Sequence, residues 1–545
     1  MATQVYFNGR LRKLPGAYSK ITSGEKNTPA NLDYGKILVI DTGLGANWGG
    51  GSGINGELNT GKDSIYKFTD VESYKGFLKG GLLWKIAEKL FFPYPGVSGV
   101  SEVIHVRAVT SVAATMTFLA TGGGAAGGTF KIKCKDEGVI GNGVKTSQHL
   151  DKGYAYTIET GVVDTAKWIF KIWLGQWKGD HTDLLAFDKI AKADTQPVLV
   201  VQSPEFDNIQ DLIDWANTDR SFGDYFVLDA TSAVVGLGTV NSADVTTAAD
   251  PVTATGGTET YNSTDLDDTL ESLKDVDYQF ILVDKYGTTD YTNAAVVKII
   301  NHIKDAGTTF IKTAIYGAGV DEDDFATSLA IATSFNSNRV ITVHSSVKET
   351  TELLSSGYRI WPSIYAAATV LGRICGLAPQ VPVTNKLIGV DGLVHNLKVK
   401  DQELALDKGL LTIVADQFRG GFKVLQGVNS IQDNKVLFNN LGQSHSIQFE
   451  RIVAQINREL VINSQTDLLN QENGVNVNTL SPGVLKTWTE TYLQSRVATA
   501  DADNLLLSFR NVTVTRVDDY YRVTYGIVVN NEITKIFYTG YLFKS

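Results

Sequence analysis

Residues 310–345 read "FIKTAIYGAGVDEDDFATSLAIATSFNSNRVITVHS", and this stretch decides the fold class. Its two ends, "FIKTAIYG" and "RVITVHS", are short apolar runs rich in β-branched residues, as expected of strands that are buried on both faces. Between them, "DDFATSLAIATSFN" has the length and composition of a helix. Strands that alternate with helices form a parallel sheet covered by those helices. The sequence therefore predicts an α/β unit.

The same alternation continues towards the amino terminus. The further predicted strands are "KILVID" (36–41), "EVIHVRAV" (102–109), "PVLVVQS" (197–203) and "YQFILVDKYG" (278–287). The predicted helices are "DVESYKGFL" with Asp70 as its N-cap, "LLWKIAEKLFF", "IQDLIDWANT" and "NAAVVKIINHIKDAG". Together these segments predict one large sheet with helices on its faces.

Two regions depart from this pattern. From about Thr110 to Leu185, short Thr-, Gly- and Tyr-rich strands follow one another, which indicates an inserted all-β domain. Val240 to Thr264 has few bulky residues and is predicted to be an exposed loop or a partly ordered excursion. After about Thr350, helices lead to roughly forty final residues of strong alternation, read as three strands with turns at "DD" and "NNE".

Composition limits the function classes. The chain has 545 residues, of which 43% are hydrophobic and 20% charged, enough for roughly two to four domains. A net charge of −10 argues against a large nucleic-acid footprint. The first residues show no secretory signal, and the most apolar windows carry charges and fall short of a membrane span. Cys134 and Cys375 are interpreted as small buried hydrophobes in a reducing compartment.

Two glycine-rich stretches could hold a phosphate. "GELNTGK", Gly56 to Lys62, has the spacing of a phosphate-binding loop, but Asp63 follows where a magnesium-binding Ser or Thr is needed. "DEGVIGNGV", Asp136 to Val144, lies between predicted strands and has no following helix or lysine. Its glycines are interpreted as allowing positive φ and close backbone approach in a turn. We predict no cofactor site in either stretch.

No other pattern indicates catalysis. The seven histidines form no metal-binding cluster. His344 follows a strand at the sheet edge where α/β enzymes place catalytic groups, but a solvated or capping histidine is the preferred interpretation. Asp321 to Asp324 could bind a divalent ion, although acidic residues at a helix N-terminus usually stabilise the helix. We therefore predict no catalytic residue and no metal site.

Read together, several segments resemble the tail sheath proteins of contractile bacteriophages. They are "LPGAYSKI", "KILVID", "YKFTDVESYKGFLKGG", "EVIHVRA", "GTFKIKCKDEGVIGNGV", "SIYAAATVLGRICGLAPQVPVTNKLIGV" and "NEITKIFYTGYLF". They occur from one end of the chain to the other, in the family's order. Glu137 and Ile140 depart from the family pattern, which has proline and tryptophan there.

The resemblance implies a structural protein and not an enzyme. Sheath subunits form stacked hexameric rings around an inner tail tube, built in an extended, metastable state. On a signal from the baseplate they contract and drive the tube through the bacterial envelope for genome delivery. The implied partners are further copies of this chain, the tube protein, and the baseplate and tail terminator proteins, without nucleic acid or membrane insertion. The implied location is the virion, after assembly in the host bacterial cytoplasm.

The resemblance also implies a core domain built from both chain ends. The predicted organisation is a multidomain protein of α/β and α+β class. Its parts are an N-terminal arm that joins the C-terminal core (1–35), an α/β domain (36–109 and 186–349), an inserted β-rich domain (110–185) and an α+β sheath core domain with a terminal strand arm (350–545).

The chain ends are the predicted assembly site. They are apolar, β-prone and terminal, and unpaired strands of this kind associate readily. The resemblance implies that they are exchanged between neighbouring subunits, although the last strand could instead complete the sheet of its own domain. The residues predicted to make this exchange are Val5, Tyr6, Phe7, Ile533, Ile536, Phe537, Tyr538, Tyr541 and Leu542.

Two alternatives remain open at this point. One is the sheath of a phage-related contractile injection system such as an R-type pyocin, which the sequence hardly separates from a phage sheath. The other is an α/β enzyme with a β-rich accessory domain, which would form a small defined oligomer and bind a ligand.

Overall fold

The computed structural model describes the chain in segments. They are residues 5–7, 10–12, 35–41, 65–78, 81–107, 109–120, 128–137, 141–146, 149–175, 197–229, 251–261, 263–274, 276–283, 298–299, 301–303, 312–317, 325–344, 346–350, 357–432, 444–464, 468, 480–497, 505–517 and 520–529. In these segments, no helix is both long and apolar enough to cross a membrane.

In the described residues, nine strands form a large mixed sheet. Its six parallel strands are, in spatial order, β22 (Leu410–Ala415), β17 (Val340–His344), β16 (Thr313–Gly317), β15 (Phe280–Val283), β3 (Lys36–Asp41) and β5 (Glu102–Arg107). Antiparallel strands extend both edges: β23 (Phe422–Val424) and β20 (Leu387–Ile388) beyond β22, and β4 (Tyr66–Phe68) beyond β5. The largely parallel sheet predicted from the alternation is therefore present.

Helices bury both faces of this sheet. In β3, Ile37 and Val39 face one core while Leu38 and Ile40 face the other, because successive side chains of a strand point to opposite sides. The first core is closed by α1 (Val71–Leu78), α2 (Gly81–Phe91) and α7 (Ser363–Cys375), and the second by α5 (Ser263–Ser272). α6 (Phe325–Phe335) and α8 (Val399–Asp407) pack together against the start of β22.

Helix α1 begins as its sequence predicted. The amide of Ser73 donates to Oδ1 of Asp70 at 2.8 Å, which satisfies one of the helix's free amino-terminal N–H groups. The predicted N-cap is thus confirmed.

The described residues of the β-rich insertion form two antiparallel sheets. One contains β12 (Phe226–Leu228), β7 (Gly128–Glu137), β6 (Val109–Ala120) and β14 (Thr258–Tyr261). The other contains β11 (Val198–Gln202), β10 (Trp168–Gly175), β9 (His149–Thr160) and β13 (Val252–Thr253), with β8 (Val144–Thr146) paired to β9. Residues such as Met116, Ile132, Ile158 and Phe170 share one core with α3 (Ile209–Thr218) and α4 (Arg220–Tyr225).

Strand pairing corrects two expectations about this region. The "PVLVVQS" segment is a strand, β11, but it pairs antiparallel with β10 and not with the parallel sheet. Residues 240–264 were expected to be an exposed loop or a partly ordered excursion. In their described part, residues 251–261 contain β13 and β14, and Ala254 is fully buried. The expectation of an exposed loop was wrong for residues 251–261, because β13 pairs with β9 and β14 pairs with β6 through their backbones.

Segments after residue 350 also join the large sheet. β22 pairs with β17, and five of its six residues are buried. β18 (Val347–Thr350), β19 (Tyr358–Trp361) and β21 (Gly392–Leu393) form a separate three-stranded sheet. Strand pairing therefore crosses the boundaries predicted at residues 185 and 350, and the domain limits themselves stay predictions.

Candidate assembly site

The last described part of the chain forms a small unit that we call the carboxyl-terminal platform. It consists of α9 (Ile447–Asn463), α10 (Pro482–Ser495) and the antiparallel strands β24 (Leu506–Val517) and β25 (Tyr520–Val529). Two of the three strands predicted for this region are thus confirmed, and the third lies outside the described residues. Ile452, Ile456, Leu493 and Leu506 form the buried core of the platform.

The two faces of the β24–β25 hairpin differ in chemistry. Phe509, Val514, Val523 and Ile527 pack onto the two helices. The opposite face is exposed and carries threonine and arginine side chains, namely Arg510, Thr513, Thr515, Arg522 and Thr524. The register shifts between Arg510 and Thr513, where Asn511 has a φ of 56°. A bulge of this kind bends and twists the strand pair.

The platform is a sheet of two strands in the described part of the chain. A two-stranded sheet is marginally stable unless helices back it, as α9 and α10 do here. The outer edges of β24 and β25 are where a further strand would add main-chain hydrogen bonds. The geometry therefore suits the addition of strands.

Helix α9 joins the platform to the large sheet. Nε of Arg458 donates to Oδ1 of Asp277 at 2.8 Å, and Nζ of Lys36 lies 3.1 Å from Oδ2 of the same carboxylate. Burial alone would raise the pKa of Asp277, but the hydrogen bonds and charges of Arg458 and Lys36 outweigh it and lower that pKa. Oε1 of Gln279 accepts from the amides of Gly35 and Lys36, which fixes the start of β3 beside Asp277. We call these contacts of Asp277 and Gln279 the joint between α9 and the large sheet.

A second set of contacts holds α9 to α10. Oε2 of Glu459 accepts from the hydroxyl of Tyr492 and lies 2.8 Å from Nη2 of Arg496. Burial, followed by the negative charge of Glu459, raises the pKa of Tyr492, so this phenol stays protonated and can donate. Helix α9 is therefore held to the large sheet through Arg458 and to α10 through Glu459.

A cleft lies between α9 and the amino ends of β3, β15 and β16. Arg451 and Arg458 line it, and paired guanidinium groups could in principle hold an anion. However, Arg451 donates to the carbonyl oxygens of Leu377 and Ala378, and Arg458 holds Asp277. We interpret the cleft as part of the joint between helix and sheet.

The predicted exchange residues are only partly within the described structure. Val5, Tyr6 and Phe7 form β1 (Val5–Phe7), which pairs antiparallel with β2 (Arg10–Arg12) of the same chain. The carboxyl-terminal members of the set lie outside the described residues: Ile533, Ile536, Phe537, Tyr538, Tyr541 and Leu542. The β1–β2 hairpin was missed from sequence, although the Asn8–Gly9 dipeptide between the two strands is a strong hairpin signal.

The "DEGVIGNGV" stretch serves the shape of the chain. A Cβ atom on Gly141 would lie 2.8 Å from Cβ of Ala114, and one on Gly143 would lie 2.4 Å from the carbonyl oxygen of Tyr154. Close approach was thus predicted correctly, but neither glycine has positive φ. Asn142 pairs both ends of its amide with the backbone of Gly257 at 2.8 Å. The stretch therefore fastens the two sheets of the insertion to each other.

In the part of the chain that the structure describes, the other candidates for chemistry do not form a site. His344 is fully buried at the end of β17, with its Nδ1 atom 2.9 Å from Oγ of Ser328, so the interpretation as a solvated or capping group was wrong. His344 is buried because it belongs to β17, all five residues of which are buried. The described segments contain no group of three or more His, Cys, Asp or Glu side chains placed to hold a metal ion. Residues 56–62 and 321–324 lie outside these segments.

The fold is similar to that of a solved sheath tail protein. A sheath tail protein from Desulfitobacterium hafniense superposes with a TM-score of 0.51 over 94% of this chain and 100% of its own length, at 13% identity. A sheath tail protein from Listeria innocua gives a TM-score of 0.45 over 92% of this chain and 96% of its own, at 16% identity.

The sequence is similar to a particular protein of this class. The tail sheath protein of Bacillus phage SP01 is 21% identical over 491 aligned residues, which cover 80% of this chain and 81% of that protein. No protein-family model matches the sequence. The resemblance to contractile-phage tail sheath proteins, predicted from the motifs, is confirmed by the phage relative and by the fold of the Desulfitobacterium protein.

Proposed function

We propose that this chain is the structural subunit of a contractile tail sheath. Copies polymerise as stacked hexameric rings around an inner tail tube, and contraction drives the tube through the bacterial envelope during genome delivery. The subunit has no catalytic role in this account, and its other partners are the baseplate and tail terminator proteins. The observation that carries the proposal is the alignment with a tail sheath protein over four fifths of both chains.

Strand exchange is the proposed means of linking subunits. The platform supplies a two-stranded sheet in the described residues, and the chain ends supply apolar, β-prone segments. An added strand gains backbone hydrogen bonds along its whole length and pockets for alternate side chains.

Removal of residues 1–20 tests this proposal. The truncated protein should remain a folded, soluble monomer, since the described cores contain no residue from this segment. Under conditions in which the full-length protein forms sedimenting tubes, the truncated protein should form none. Normal tube formation by the truncated protein would overturn strand exchange by the amino terminus.

A matched pair of substitutions tests the other chain end. Ile536→Pro removes the backbone N–H that a paired strand donates, whereas Ile536→Val keeps both the N–H and a β-branched side chain. We expect the proline variant to lose tube formation and the valine variant to keep it. Equal assembly of the two variants would rule out pairing of this strand through the amide of residue 536.

A further inference from the structure

The turn between β22 and β23 displays an aromatic side chain in solvent. Phe418 is 96% exposed, and its neighbours from Gln417 to Gly421 are exposed as well. Exposed apolar residues are common on proteins, but a phenylalanine at the tip of a turn is a candidate contact residue, since aromatic and arginine side chains are enriched in interfaces. We call residues 416–421 the Phe418 turn.

The Phe418 turn is held in one conformation by Asp416. Oδ1 of this buried carboxylate accepts from the amides of Phe418 and Arg419 at 3.1 and 3.2 Å. Oδ2 accepts from Nε of Arg419 at 2.7 Å, and Nη2 of Arg419 also donates to the carbonyl oxygen of Asn385. A displayed side chain on a preorganised turn loses little conformational entropy when it binds.

The surroundings of the Phe418 turn are positively charged. Lys386 lies beside it and is influenced by the charges of Arg373 and Arg419. Partial burial, and then repulsion by these two arginines, lowers the pKa of Lys386. Lys423 adds a fourth cation, while Asp416 is the carboxylate that pairs with Arg419 and Lys423. The turn therefore presents an apolar tip next to an excess of positive charge.

The β-rich insertion carries a surface of the opposite character. Val162 and Val163, in the turn between β9 and β10, are 83% and 92% exposed. The carboxylate of Glu205 fixes this turn by accepting from the amides of Val163 and Asp164 at 2.7 and 3.1 Å. We call Val162, Val163, Asp164, Asp207 and Asp211 the acidic tip.

The acidic tip carries excess negative charge. Asp164 follows the exposed valines, and Asp207 and Asp211 are exposed close to Glu205 at the start of α3. Oδ2 of Asp207 lies 3.4 Å from Nζ of Lys167, which neutralises one of these charges. The remaining carboxylates and the two valines complement the cations and the phenylalanine of the Phe418 turn.

We infer that the Phe418 turn of one subunit docks on the acidic tip of a second copy of this chain. Charge complementarity selects this partner, because the two surfaces pair apolar with apolar and basic with acidic. They are different surfaces of one chain, so the contact is heterologous and generates rings or helical polymers instead of closed dimers. The inference rests on the proposed function and adds to strand exchange a contact made by side chains.

A charge-swap cycle on the full-length protein tests the contact. The measured quantity is the lowest protein concentration at which polymer sediments. Lys386→Glu and Asp211→Lys should each raise this concentration about tenfold, as expected for loss of one interface charge pair, and the double variant should return it towards the wild-type value. Lys386→Glu should leave the melting temperature of the subunit unchanged or higher, because it removes a cation from between two arginines.

A second variant tests the apolar part of the contact. Phe418→Ser should raise the same concentration about tenfold or more, as expected for an aromatic anchor, with no change in melting temperature. Phe92→Ser is the control, since Phe92 is also exposed, at 55%, and lies outside both surfaces.

The outcomes separate this inference from the proposed function. If the wild-type protein polymerises but the double variant shows only the sum of the two single effects, the inference is overturned and the proposed function stands. Polymerisation of Phe418→Ser at the wild-type concentration overturns it as well. If the wild-type protein never polymerises, the proposed function falls and this inference falls with it.

Discussion

Two helical glycines differ in the space that surrounds them. A Cβ atom on Gly372 in α7 would lie 2.5 Å from the carbonyl oxygen of Lys89 in α2, whereas one on Gly76 in α1 would have no atom within 4 Å. We expect Gly372→Ala to destabilise the subunit by about 1–3 kcal/mol through overpacking. Gly76→Ala should stabilise it by about 0.5–1 kcal/mol, because alanine favours helix. Urea unfolding of both variants gives the comparison, and an unchanged stability in Gly372→Ala would contradict the close helix contact.

The two thiols should be unreactive in the folded protein. Cys134 and Cys375 are buried, and burial raises the pKa of Cys375 to about 12, an effect that Arg451 only partly opposes. A thiol reagent attacks the thiolate, which is scarce at such a pKa. We expect both cysteines to resist a thiol reagent at pH 8 and to react fully in denaturant. Rapid reaction of the native protein would show that one of the described cores opens easily.

The sequence predicted the role of a residue correctly where that role depends on its neighbours in the chain. The N-cap role of Asp70 depends on residues within one turn of it and was predicted. The burial of the two cysteines was predicted as well, because cysteine behaves as a small hydrophobe. The inward position of His344 depends on strands that are distant in sequence, and the pairing of Asn142 with Gly257 joins residues 115 positions apart. No local pattern reveals such contacts.

At the scale of elements, the joint between α9 and the large sheet should depend on one carboxylate. Asp277→Asn removes the charged carboxylate that pairs with Arg458, whose side chain is only 6% exposed. We expect a loss of about 3 kcal/mol in urea unfolding, since removal of one partner of a buried ion pair is strongly destabilising. Asp267→Asn is the matched control. Its pair with Lys298 is exposed, so the loss should stay below about 1 kcal/mol.

The ion pair of Asp277 at this joint should make the stability of the protein depend on pH. The pKa of Asp277 is lowered in the folded protein, so its contribution to stability is fully present above the unfolded value of about 3.8. That contribution is lost as the pH falls through the lower folded value. The stability difference between the wild type and Asp277→Asn should therefore shrink below about pH 4. A difference that stays constant from pH 7 to pH 3 would contradict an ionised Asp277 at this joint.

Helices and strands were easier to predict from sequence than the pairing of the strands. Strands β3, β5, β15, β16 and β17 were recognised from apolar runs, and α2, α3 and α6 from length and composition. β11 was recognised as a strand and assigned to the wrong sheet, because its apolar run suits either a parallel or an antiparallel partner. β13 and β14 were missed, since strands of two and four residues give too short a pattern.

At the scale of the whole molecule, the strand pairings predict where the chain can be shortened. Deletion of residues 110–185 would remove β6, β7, β9 and β10 and leave β11 to β14 without partners, so we expect an insoluble protein. Deletion of 109–261 removes both sheets of the insertion together with their shared core. With a short linker this second variant should fold, as judged by a cooperative thermal transition. Folding of the smaller deletion and failure of the larger one would contradict the described pairings.

The order of the segments along the chain was enough to predict the resemblance to tail sheath proteins, because sheath-like motifs occur from one end of the chain to the other. The contacts between subunits could not be predicted in the same way. Contacts between copies depend on surfaces that fold from distant segments. The Phe418 turn lies at 416–421 and the acidic tip at 162–211, and only the folded chain shows that each is exposed and held by hydrogen bonds to a carboxylate.

Electron microscopy of the purified, negatively stained protein tests the central claim most directly. The account predicts tubes of stacked rings with six-fold symmetry, present in the wild type and absent after removal of residues 1–20. A small particle of uniform size at every protein concentration, with no tubes or rings, would contradict it.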